Sequence, residues 1–115
     1  MKALADCIRT YDDALPAAFC RQLIDNFEAA AHFQAPNGRG HRPALDDSRW
    51  TEMNLTRLAD PAFMGFFMTR IEQALARYNT DLSLTIPVPL RPRIDRLVMK
   101  RYRASTADMF QPHFD

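Results

Sequence analysis

The sequence predicts an α+β fold on three observations. Two stretches carry apolar residues at helical spacing, an alternating apolar pattern follows late in the chain, and Pro- or Gly-rich connectors separate them. Helices come first and strands after them, within one predicted domain spanning residues 1–115.

Each element has a local cause. Residues 7–11 suggest a short strand. Asp12-Asp13-Ala14-Leu15-Pro16 is a helix entry, with acids on the amino-terminal side and Pro16 near the first turn. Phe19, Cys20, Leu23, Ile24, Phe27 and Ala30 form one apolar stripe, which predicts a helix over residues 16–31. Asn37-Gly38-Arg39-Gly40-His41-Arg42-Pro43 has the composition of a loop. Residues 50–58 are expected to be extended, with Trp50 as an anchor. At Asp60-Pro61 the acid caps a second helix and the proline takes its first position. Phe63, Phe67, Ile71, Ala74, Leu75 and Tyr78 give that helix its buried face, and Asn79 is the expected stop.

Pro87-Val88-Pro89-Leu90-Arg91-Pro92 is a rigid connector. Beyond it, Ile94, Val98 and Tyr102 fall on one face of a strand and Leu97 and Met99 on the other. That pattern predicts a central strand covered on both sides. A polar turn over residues 104–109 and an extended piece over residues 110–115 complete the reading.

Composition narrows the function classes. Fifteen Lys and Arg against fourteen Asp and Glu leave a net charge of +1, so the electrostatic footprint of a nucleic-acid binder is missing. The late cluster Arg91, Arg93, Arg96, Lys100, Arg101 and Arg103 fits a solvated strand edge better than a binding patch. There is no long apolar run of membrane-spanning length, and Asp6 interrupts any signal-peptide apolar region. Cys7 and Cys20 do not make a disulfide framework. A cytoplasmic protein that engages neither nucleic acid nor membrane is expected.

The chemistry-bearing motif is the pair His113 and Asp115. In an extended segment, positions i and i+2 point to the same side, so an imidazole nitrogen and a carboxylate oxygen can converge while Phe114 faces away. One His and one carboxylate are two thirds of a facial triad, the three-ligand set that holds non-haem Fe(II) with open positions. His32, at a helix end, and His41, in the glycine loop, have no carboxylate two residues on; His32 is expected to serve structure or solvent, and His41 is read as an exposed loop histidine rather than a ligand contact.

The strand ending in Arg101-Tyr102, the polar turn, Phe110 and then Pro112-His113-Phe114-Asp115 together resemble the prolyl 4-hydroxylase-like branch of the Fe(II)/2-oxoglutarate-dependent dioxygenases. The resemblance is close over residues 94–115 and loose over residues 10–90. It implies that His113 and Asp115 are the first two iron ligands and that Tyr102 contacts 2-oxoglutarate. Phe110 stands where many relatives carry tyrosine. The implied fold is α+β, with amino-terminal helices on the first strands of an incomplete double-stranded β-helix (jelly-roll) core. The implied activity is hydroxylation of a C–H bond in a peptide or small molecule, using Fe(II), 2-oxoglutarate and O2. The family places a distal histidine and a basic residue for the co-substrate well after His-x-Asp. The chain is therefore expected to be the amino-terminal part of such an enzyme and inactive alone. The alternative expectation is a small non-catalytic helical protein-interaction module in which His113 and Asp115 have no special role.

Overall fold

The structure is a computed structural model and describes residues 2–114. It combines helices with a small three-stranded antiparallel sheet, an α+β arrangement. The elements are α1 (Ala17–Ala29), β1 (Ala35–Gly38), β2 (Arg49–Asn54), α2 (Leu55–Leu58), α3 (Pro61–Leu82) and β3 (Val98–Arg101). The chain divides into two compact units, Met1–Gln22 with Ala59–Ile94, and Leu23–Leu58 with Asp95–Asp115. Among the described residues no helix is long and apolar enough to cross a membrane.

The first unit is organised by α3. Asp60 caps it as its composition predicts, its carboxylate accepting from the Phe63 N–H at 2.8 Å, and Pro61 opens the helix. The predicted aromatic face lies half-buried along its length. Phe63 stacks on Phe19 with ring centroids 5.4 Å apart, and Phe66 approaches the same ring to 4.8 Å. The helix runs past Asn79 to Leu82 and ends where Ser83 adopts φ 48°. Asn79 does not terminate it, because its side-chain amide is bound to the proline-rich connector. It donates to the Val88 carbonyl and accepts from the Val88 N–H, both at 2.8 Å.

The expected strand over residues 7–11 is absent. Leu4–Cys7 is a 3-10 turn closed by the Asp6 carboxylate, which accepts from the Ala3 N–H at 2.8 Å. The Cys7 carbonyl accepts from the Tyr78 hydroxyl at 2.8 Å, so a side chain of α3 takes the place of a neighbouring strand.

The second unit holds the sheet, ordered β1-β2-β3. Trp50 and Met53 of β2 are buried, as are Phe27 of α1 and Leu45. Two expectations change here. The extended segment after Trp50 stops at Asn54, whose side chain accepts from the Arg57 N–H at 3.3 Å and turns the chain into α2. The central strand is β2, not the strand carrying Val98. β3 lies at the sheet's edge among the described residues, and it spans only Val98–Arg101. The prolines and charges of residues 87–96 leave little that can extend a ladder at its start. At its end the 3-10 turn Ala104–Thr106 leads the chain out of the strand.

Candidate functional site

The register of β2 and β3 decides which side chains meet. Glu52 pairs with Lys100 and Thr51 with Arg101. Side chains alternate along a strand, so Trp50, Glu52, Lys100 and Tyr102 share one face of the sheet. Met53, Met99 and Arg101 take the other. There the Arg101 guanidinium lies 5.1 Å from the Phe27 ring centre and donates to both Glu28 oxygens at 2.8 and 2.9 Å. Its Nε is buried without a hydrogen-bond partner among the described residues.

On the first face, rings link Tyr102 to His113. Trp50 and Tyr102 have centroids 6.1 Å apart, Trp50 meets Phe110 edge-on at 5.2 Å, and Phe110 lies 4.2 Å from the His113 ring. The Lys100 ammonium sits over both hydrophobic rings, 4.6 Å from Trp50 and 5.2 Å from Phe110. The Trp50 indole N–H donates to Glu52 at 2.8 Å.

Charge on this face follows from those contacts. Burial pushes the Glu52 carboxyl up, but hydrogen bonds from Trp50 and Asn37, with the nearby charges of Lys100 and Arg42, outweigh it and hold the group below its usual range. Burial, and secondarily the Glu52 charge, push the Tyr102 phenol above its usual range. Tyr102 therefore stays protonated and able to donate a hydrogen bond at neutral pH.

The segment carrying His113 is held by the fold. The turn after β3 is closed by Asp108, whose carboxylate accepts from the Arg103 N–H at 3.0 Å and the Thr106 hydroxyl at 2.7 Å. Met109 and Arg49 then exchange backbone hydrogen bonds at 2.8 and 3.0 Å. Gln111 is fastened to the Ala44–Ser48 loop. Its N–H donates to Ser48 Oγ at 2.9 Å, its side-chain oxygen accepts from the Asp47 N–H at 2.8 Å, and its amide nitrogen donates to the Ala44 carbonyl at 3.2 Å. Ser48 itself is completely buried.

His113 Nδ1 lies 3.0 Å from the Gln111 carbonyl oxygen. A carbonyl only accepts, so Nδ1 carries the proton and the lone pair of the neutral ring is at Nε2. Metal-binding imidazoles are commonly set by such a backbone partner. A single imidazole so oriented is the one part of the donor set found among the described residues. Asp115 lies outside the described residues. Among the described residues no group of three or more His, Cys, Asp or Glu side chains is arranged to hold a metal ion.

Beside His113 is a hollow of about 530 Å³, walled by Arg42 and Leu45 on one side and by Phe110, Pro112 and His113 on the other. The structure brings Tyr102 and His113 into one cluster, whereas His32 packs on Phe33 at 4.2 Å instead. Sequence reasoning did not anticipate Glu52, Lys100, Arg42 or Gln111. The signal within reach was the i, i+2 spacing of Lys100 and Tyr102 and of Trp50 and Glu52.

No family model, curated protein or solved structure matches this chain.

Proposed function

We propose that this chain is the amino-terminal part of an Fe(II)- and 2-oxoglutarate-dependent oxygenase, in which its sheet begins a jelly-roll core. His113 and Asp115 would be its first two metal ligands and Tyr102 would be a contact for the co-substrate. The observation that carries the reading is the contact path Tyr102–Trp50–Phe110–His113. It joins the two described residues that the motif singles out, eleven positions apart, on one face of one compact unit.

When bound, Fe(II) with 2-oxoglutarate and O2 would supply the oxidation that hydroxylates a C–H bond. The residues of this chain supply placement. The Gln111 carbonyl accepts from His113 Nδ1, which leaves Nε2 as the nitrogen that would ligate a metal. Tyr102, protonated at neutral pH as a phenol ordinarily is, would offer a hydroxyl to a carboxylate oxygen of the co-substrate. Buried Trp50 and the Phe110 ring beside it give the site an apolar wall. Lys100 adds a positive charge on the same face, suited to an anionic co-substrate.

Co(II) is a spectroscopic stand-in for Fe(II). A chain continued past Asp115 through the family's remaining ligands should bind one equivalent of Co(II), and His113→Ala should abolish that binding. Undiminished stoichiometric binding in the His113→Ala protein would remove His113 from the site and the reading with it.

A further inference from the structure

The hollow beside His113 has a mixed wall with a definite chemistry. Buried Leu45, with Phe110 and Pro112, gives it apolar lining. Arg42 also lines it, on a loop tied down by the Gly38 carbonyl, which accepts from the N–H groups of both His41 and Arg42 at 2.9 Å. Gln111 bonds to Ala44 and Asp47 and holds the two walls together, so the hollow is built by the fold and not by chance side-chain positions.

Among the described residues its lining carries Arg42 and His113 and no carboxylate. Among the described residues no carboxylate lies within ion-pair distance of the Arg42 guanidinium. Its field reaches Glu52, already occupied by the Trp50 and Asn37 hydrogen bonds and faced by Lys100. A cation lining an apolar hollow favours a ligand with an apolar body and an anionic end. A guanidinium is matched to a carboxylate by its paired N–H donors.

We propose that this hollow is a substrate subsite for an apolar carboxylate, with Arg42 as the specificity-determining residue. The apolar body lies against Phe110, Pro112 and Leu45, and the carboxylate pairs with Arg42. This rests on the oxygenase reading only in naming the bound molecule a substrate; the binding itself needs no metal.

The test is a chemical-shift titration of the metal-free 115-residue protein with phenylacetate and, separately, with phenylacetamide. These probes share a ring and differ in charge. Phenylacetate should shift the Arg42 side-chain and Gln111 backbone signals and bind about ten-fold more tightly than the amide. Arg42→Gln should erase that preference, and Arg42→Lys should retain part of it. Equal affinity for acid and amide, an unchanged preference in Arg42→Gln, or no response to either probe would overturn the proposal. The titration uses the metal-free protein, and the oxygenase reading is tested by Co(II) binding in the continued chain, so each reading can fail alone.

Discussion

The Gln111 backbone N–H donates to Ser48 Oγ at 2.9 Å across 63 residues of sequence. That contact couples the entry of the central strand to the segment bearing His113. Ser48 is completely buried, so Ser48→Ala leaves a donor without its hydroxyl in a place water does not readily reach. The expected cost is about 1–3 kcal/mol in urea unfolding, with faster hydrogen exchange at the Gln111 amide. An unchanged unfolding midpoint together with unchanged exchange would mean that the hydroxyl does not fasten this segment.

Gly38 makes a sharper local demand. Its φ is +93°, and a Cβ there would stand 2.4 Å from the Ser48 carbonyl oxygen, a backbone atom. Gly38→Ala should therefore cost more than roughly 2 kcal/mol, combining strain with displacement of Ser48. Gly40 has φ +78° but open space around its Cβ position, so Gly40→Ala should cost only about 1 kcal/mol. Comparing the two variants by thermal unfolding isolates the steric part, and equal losses would contradict it.

In the first unit, Asp60→Ala removes the cap of α3 and should cost about 1 kcal/mol. Phe63→Ala removes a half-buried ring stacked on Phe19. It should cost about 2–3 kcal/mol, less than the roughly 3–5 kcal/mol typical of a fully buried ring. Urea unfolding of both variants checks the order, and a larger loss for Asp60→Ala would argue against the stacking.

Acid should loosen the segment that leads to His113. The Arg103 N–H first, then the Thr106 hydroxyl and the charges of Arg49 and Arg103, hold the Asp108 carboxyl below its usual range despite burial. Its pKa is lower folded than unfolded, so its stabilising effect is fully present above the unfolded value of about 3.9. The effect fades as pH falls through the lower folded value, and Glu52 contributes with the same sign. Asp108→Asn should lose stability at neutral pH and show a shallower decline on acidification. Equal acid slopes for the two proteins, followed by urea midpoints from neutral pH downward, would contradict this linkage.

These contacts also show what can be read from residues in order. Asp60-Pro61 names the start of α3 because capping is local, and the Phe63 face follows from helical spacing. Residues 7–11 misled because they look strand-like, while the polar partner of Cys7 is Tyr78, seventy-one positions away. Two-sided apolar character made the Val98 strand look central. Position in a sheet depends on pairing, and β2, with Trp50 and Met53, has neighbours on both sides. The motif names Tyr102 and His113, and the ring contacts place the two in one cluster. Lys100 and Glu52 required the register that sets them opposite each other, and Gln111 required the loop it fastens.

The most direct measurement of the central claim is succinate formation from 2-oxoglutarate, with Fe(II) and O2, by three proteins under identical conditions. The chain continued past Asp115 should form succinate, its Asp115→Ala variant should form none, and the 115-residue chain should form none. Undiminished succinate from the Asp115→Ala variant, or iron-dependent succinate from the 115-residue chain, would contradict the account.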